Sequence, residues 1–195
     1  MRDLYNSIAA SFDHTRYNHW KAVKEYILGL QTYNTVLDLG SGNGKYIALR
    51  KDLSFTGFDI TENLLTIAQD KYPTTDFLHG NATHTLPFRD KSFDYTICVA
   101  VIHHFSTPEE RKCVVREAIR VSAKGVLFTV WAQGAEQGKK GWDAGEGIGD
   151  WWVPWQHGKD KRYYHLFSKE EFLELFNGVV RVFWERENWV GVVSV

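Results

Sequence analysis

Apolar residues recur along this chain with two periods, and the switch between them outlines its elements. Leu4, Ile8 and Phe12, then Trp20, Val23, Ile27 and Leu30, fall three or four positions apart, the spacing that lines one face of an α-helix. Residues 1–33 are therefore expected to hold two helices. Thr35-Val36-Leu37-Asp38-Leu39 is a short apolar run ending in a glycine-rich turn, which predicts a buried strand. A helix is expected from Lys45 to Lys51. Phe55 to Asp59 predicts a second strand, and Thr61 is placed to cap a helix carrying Leu64, Leu65 and Ala68. Asp76 to His79 and Asp94 to Val99 predict a third and a fourth strand.

Thr107-Pro108-Glu109-Glu110 is a capping box with proline at the first helical position, so a helix should run to about Val121. Val126 to Trp131 predicts a fifth strand. Alternating strands and helices over two thirds of the chain imply an α/β fold with a parallel sheet. The pattern breaks at Ala132. From there to Asp150 lie six glycines and several charges without an apolar period, which predicts a mobile loop or an active-site cover. Residues 132–160 are accordingly expected to form a loop insertion on the substrate side. Ser168-Lys169-Glu170-Glu171 repeats the capping box and predicts a helix through Phe176. Val179 to Trp184 and Trp189 to Val195 predict a closing hairpin. No internal repeat or domain boundary interrupts residues 1–195, so one domain is expected.

The 195 residues suffice for a sheet covered on both sides. A net charge of −1 provides no global field that would draw the protein to nucleic acid. Cys98 and Cys113 lack the close pairing of a zinc site or a disulfide framework. No apolar run reaches the length of a membrane span, and polar residues follow Met1-Arg2-Asp3-Leu4 where a signal peptide would have its apolar core. A cytoplasmic protein without a membrane partner is expected.

The chemistry concentrates after the first strand. Gly40, Gly42 and Gly44 allow a ligand to approach bare backbone. Asp59 follows Asp38 by 21 residues, ending the second strand, and suits a carboxylate that accepts ribose hydroxyls. The dinucleotide fingerprint would have its third glycine at Lys45. Its absence favours S-adenosylmethionine over NAD, and an NAD-binding protein remains an alternative.

Asp38-Leu39-Gly40-Ser41-Gly42-Asn43-Gly44 resembles the first motif of class I methyltransferases. Gly80-Asn81-Ala82 with Leu86-Pro87-Phe88 resembles their adenine loop, and Phe93-Asp94-Tyr95 leading to His103-His104-Phe105 their fourth-strand motif. That resemblance, over roughly Val36 to Trp131, implies a Rossmann-like, seven-stranded, mostly parallel sheet with a C-terminal antiparallel hairpin and helices on both faces. It also implies S-adenosylmethionine bound by Asp38, Gly40, Gly42, Gly44, Asp59, Asn81, Ala82 and Val99.

Thr15-Arg16-Tyr17, Trp20, Val99 to Thr107, Val153-Pro154-Trp155 and Arg162 to Phe167 resemble the family that methylates the carboxymethyl group of a modified wobble uridine in tRNA. The family implies a methyl ester product and a small zinc-binding activator protein paired through a sheet edge. Phe77 and Leu78 on the short third strand offer such an edge. Two departures stand out: Ser41 takes the place of a cysteine, and residues 132–150 differ from the family's connector.

The chemistry itself sets the requirements. A carboxylate with a pKa near ~4 is already ionised at neutral pH, so methylation needs no general base. It needs cations and donors that hold the carboxylate in line and keep water out. Arg16 and Arg162 are candidates because a guanidinium grips both carboxylate oxygens, with His104 and His165 as donors. Tyr17, Trp131, Trp155 and Tyr163 are candidate substrate contacts. Each has a plainer reading as a surface charge or a core aromatic, and either of His103 and His104 is expected to face away from the site. Lys139, Lys140, Lys159, Lys161 and Arg162 are available to phosphates, but Glu136, Asp143, Glu146, Asp150 and Asp160 lie among them. A methyltransferase of a small molecule and a cofactor-binding scaffold without catalysis remain the competing readings.

Overall fold

The computed structural model describes residues 2–14, 18–136, 139–155, 160–176 and 180–195. Two helices, α1 (Arg2–His14) and α2 (Lys21–Leu28), precede the alternating core of β1 (Thr35–Leu39), β2 (Ser54–Asp59), α3 (Glu62–Lys71), β3 (Asp76–His79), β4 (Phe93–Val99), α4 (Pro108–Val121) and β5 (Ser122–Trp131). Next come β6 (Asp143–Ala144), β7 (Asp150–Pro154), β8 (Lys161–His165), α5 (Lys169–Glu174), β9 (Val180–Glu185) and β10 (Asn188–Ser194). Seven strands form the main sheet in the order β3-β2-β1-β4-β5-β10-β9. The first five run parallel, and β10 pairs antiparallel with both β5 and β9. This is the doubly wound sheet with a terminal antiparallel hairpin expected from the sequence.

Strand alternation distributes the core to both sides. Leu37 and Leu39 of β1 and Val126, Phe128 and Val130 of β5 pack with Val114, Val115 and Ala118 of α4 and Phe172 of α5. Their neighbours Val36, Ile97 and Leu127 pack on the other face with Val23 and Ile27 of α2. The Thr107 box forms in full: its hydroxyl accepts the Glu110 N–H, and the Glu110 carboxylate accepts the Thr107 N–H.

Four local expectations change. From Lys45 to Lys51 only Ile47–Leu49 is helical, as one 3-10 turn. Arg50 is extended, and its guanidinium bonds Asp52 at 2.6 Å and the Leu28 and Leu30 carbonyls; a partner two residues away cannot face it on a helix. Thr61 precedes α3 without a side-chain cap, and its N–H is turned to Asp59 Oδ1 at 2.8 Å. The Ser168 hydroxyl accepts the Glu171 N–H, but the Glu171 carboxylate is taken by His165. The span read as a loop contains a second antiparallel sheet, β6-β7-β8. Ala135, Val153, Tyr164 and Leu166 bury its inner face, with Trp131, Trp142 and Trp151 packed around them.

His165 ties this small sheet to α5. Its Nδ1 lies 2.7 Å from Asp150 Oδ1 and its Nε2 2.6 Å from Glu171 Oε1. Burial raises the Asp150 carboxyl, but bonds from His165 and Tyr163 outweigh it and hold the group below its ordinary value. Being lowered, Asp150 contributes stability above the unfolded carboxylate range, and that contribution is lost as pH falls through the folded value. His165→Ala leaves the part-buried carboxylates of Asp150 on β7 and Glu171 on α5 without the imidazole that joins them. The expected cost is roughly 1–3 kcal/mol, a midpoint drop of roughly 3–10 °C in a thermal melt. A melt unchanged by the substitution would show that the clip is not holding the sheet.

Candidate active site

The site grows from the C-terminal ends of β1, β2 and β4, where an open parallel sheet leaves a crevice. Gly40 and Ser41 donate their N–H groups to the Phe58 carbonyl at 2.7 and 3.2 Å, tying the turn after β1 to the end of β2. Gly40, Gly42 and Gly44 have φ of +80°, +52° and +71°, a region costly for residues with a Cβ. At Gly40 a Cβ would lie 2.2 Å from Val101 Cγ2. Bare backbone is therefore required there by conformation and by space.

The turn borders a cavity of about 380 Å³, within the usual ~300–1,000 Å³ range of small-molecule sites. Asp38 and Asp59 stand on its wall, with Asn81, Ala82 and Val99 further along. Asp59 Oδ2 accepts the Gly42 N–H at 2.9 Å and Oδ1 the Thr61 N–H. Burial raises the Asp59 carboxyl above its ordinary value, while those N–H groups work the other way. Asp38 is buried, and its Oδ2 has no hydrogen-bond partner among the described residues. Burial first, and then the charge of Asp59, push its carboxyl up to about 7, with Lys45 opposing. Asn81 Oδ1 accepts the Thr83 N–H and hydroxyl at 3.0 and 2.9 Å, which sets the loop after β3.

The far end of the cavity is aromatic: Tyr5 from α1, then His103, His104, Phe105, Trp131 and Tyr164. Both histidines border it, and His103 is also buried and loop-bonded, as one of the pair was expected to be. His103 Nδ1 accepts the Trp131 N–H at 3.2 Å, so a neutral ring carries its proton on Nε2. Burial, then His104 and Arg162, lower its pKa well below the ordinary histidine value. His104 Nδ1 lies 3.1 Å from the Tyr163 carbonyl and Nε2 3.1 Å from the Tyr5 hydroxyl. A carbonyl only accepts, so Nδ1 is the donor and a neutral ring receives the Tyr5 proton at Nε2. The donor that His104 was expected to offer a substrate is thus already used in this arrangement.

Arg162 stands one layer behind the wall. Its guanidinium lies 4.8 Å from the Trp155 ring centroid and 5.1 Å from that of Tyr164, and Nη1 is 3.4 Å from the Tyr5 hydroxyl. It is 5% exposed, and its Nε has no acceptor among the described residues. Trp155 is buried against Phe12 and does not border the cavity. Tyr163 donates its hydroxyl to Asp150 at 2.6 Å, also away from the cavity, as is His165. Trp131 reaches the cavity as part of a fixed stack, 4.4 Å from Tyr164 and 5.5 Å from Trp142 between ring centroids. Arg16, Tyr17 and Lys159 lie outside the described residues. Among the described basic residues near the small sheet, Lys139 pairs with Glu187 and Lys161 with Asp143.

Sequence reasoning passed over Tyr5, Phe12 and Lys45 as cavity residues. Tyr5 shares the face of α1 that carries Ile8 and Phe12, so its signal was an ordinary apolar stripe. Phe12 counted only as part of that stripe.

The methyltransferase domain family matches residues 37–130. The tRNA (carboxymethyluridine(34)-5-O)-methyltransferase of Schizosaccharomyces pombe is 31% identical over 97% of this chain and 93% of its own length. The Arabidopsis thaliana protein of the same name is 40% identical over 69% of this chain, which spans 32% of that longer relative. Solved structures of the same fold include S-adenosylmethionine-dependent methyltransferases. One similar structure is a complex of the Haloferax volcanii Trm112 methyltransferase activator with a methyltransferase, 18% identical, TM-score 0.73, covering 100% of this chain and 96% of that one. Among the described residues no helix is long and apolar enough to cross a membrane.

Proposed function

This chain belongs to the family of the tRNA (carboxymethyluridine(34)-5-O)-methyltransferases, and from that membership we propose that it methylates the carboxylate of 5-carboxymethyluridine at the tRNA wobble position. The product is the methyl ester, and S-adenosylmethionine is the methyl donor. The observation that carries the reading is the pairing of two unlike ends in one cavity: an acidic, glycine-lined cradle at β1 and β2, and an aromatic wall backed by a buried guanidinium.

The residues fit the cofactor. Asp38 Oδ2, without a partner among the described residues, matches the ammonium of its methionine moiety, and Asp59 keeps acceptor capacity on both oxygens for a ribose diol. Asn81 and Ala82 would hold the adenine and Val99 would stand beside the sulfonium. When bound, the cofactor supplies an electrophilic methyl group. The chain's own residues then orient the nucleophile and exclude water, the main tasks in an in-line displacement. The substrate carboxylate faces the aromatic wall, where the Tyr5 and His104 protons are already engaged, so the attraction comes from the guanidinium behind it. Arg162 behind them gains the anionic partner that it lacks among the described residues. No side chain has to remove a proton.

Weak free positive charge on this chain fits a complex that completes the tRNA surface. A small zinc-binding activator pairing at the exposed edge of β3, beside Phe77 and Leu78, would do so. The test is to incubate the protein, with and without such an activator, with hypomodified tRNA and labelled cofactor. Label should appear in one modified uridine and be released by alkali, as an ester is. Alkali-stable label, or label on a small molecule only, would overturn the reading.

A further inference from the structure

Lys45 directly follows the glycine-rich turn, where the dinucleotide fingerprint would have a third glycine. It borders the cavity with Asn18, Trp20, Asp38 and Tyr46, and it is the one Lys or Arg among the described residues that do so. Its Nζ is 3.2 Å from the Asn18 carbonyl oxygen and 4.7 Å from the Tyr46 ring centroid. The half-buried lysine therefore holds its ammonium at the wall beside the glycines.

The amino-acid end of S-adenosylmethionine carries two opposite charges. Asp38 answers the ammonium. An anion at such a turn is ordinarily stabilised by the N–H groups and dipole of the α-helix that follows. Here no α-helix follows, because Arg50 pulls the chain out after the 3-10 turn Ile47–Leu49. A single short turn aligns too few peptide dipoles to replace one. The carboxylate consequently needs a discrete cation.

We propose that Lys45 binds the carboxylate of the cofactor's methionine moiety, so that Asp38 and Lys45 together read its zwitterion. A lysine at this position also fits the cofactor better than a glycine would, because a methionine tail does not require close helix packing. The assignment rests on the S-adenosylmethionine reading above.

Three ligands separate the charges: S-adenosylhomocysteine, its decarboxylated analogue, and 5′-methylthioadenosine, which lacks both groups. Titration calorimetry with K45Q should show S-adenosylhomocysteine weakened about tenfold and the other two within about twofold, the size of one lost charge-assisted bond. K45R should retain most of the affinity. D38N should weaken the first two ligands and spare the third. Unchanged 5′-methylthioadenosine binding doubles as evidence that each variant is folded. K45Q binding S-adenosylhomocysteine as tightly as wild type, or losing all three ligands equally, would overturn the assignment. Wild-type protein that binds none of the three would overturn the cofactor reading itself.

Discussion

Arg162→Ala lowers kcat/KM for methyl-ester formation by about a hundredfold, while the dissociation constant of S-adenosylhomocysteine changes by no more than about twofold; truncating one partner of a buried charge pair costs ~2–5 kcal/mol. The asymmetry follows from position. Arg162 sits behind Tyr5 and Tyr164 at the aromatic end, and it makes no contact with the glycine turn or with Asp59. Among the described residues nothing anionic pairs with it and its buried Nε meets no acceptor. Such a cation is costly to keep unless a charge arrives to meet it. Arg162→Lys should recover only part of the loss, since an ammonium cannot offer a fork. Steady-state kinetics on hypomodified tRNA, with a cofactor titration and a thermal melt on the same variant, check the result. Cofactor affinity collapsing along with activity would show that Arg162 props the whole cavity and does not serve the substrate.

Asp38→Asn weakens S-adenosylhomocysteine by about ten- to a hundredfold, as expected from ~1.5–3 kcal/mol for a hydrogen bond to a charged group. It should also abolish a pH dependence. Burial and the charge of Asp59 push the Asp38 carboxyl up to about 7. A raised carboxyl contributes stability that is fully present below its unfolded pKa and lost as pH climbs through the folded value. A bound ammonium needs the ionised form, so binding must release a proton below about pH 7. Wild-type affinity should therefore rise from pH 6 to 7.5, by up to about tenfold, and D38N should be flat across that window. Calorimetry in buffers of different ionisation enthalpy measures the proton directly. A wild-type affinity that falls over the same range would disprove the role given to Asp38.

Much of this was readable from local pattern. Period-two and period-3.6 stretches located β1 to β5, α4 and the closing hairpin, because a strand or helix must turn apolar residues toward one core wherever it sits. Gly40, Gly42 and Gly44 were legible for a similar reason: their requirement for positive φ is local. Asp59 was legible by its distance from Asp38. The small sheet β6-β7-β8 was not, since β6 is two residues long and glycines interrupt the alternation. Its core needs Trp131 from β5 and Leu166 from beyond β8, partners that no local window contains.

The sequence alone therefore determined which segments form the main sheet, where the glycine turn lies and which acids stand beside it, since each depends on neighbours a few residues away. Only the tertiary structure decided which polar groups meet. Tyr5 reaches His104 across 99 positions, Arg162 reaches Tyr5 across 157, and Arg50 on Leu28 and Leu30 ends the helix that the residues after Lys45 suggested. Those outcomes depend on how the chain is brought back upon itself, and hydrogen bonds and charges act over a few ångströms of space whatever the separation along the backbone.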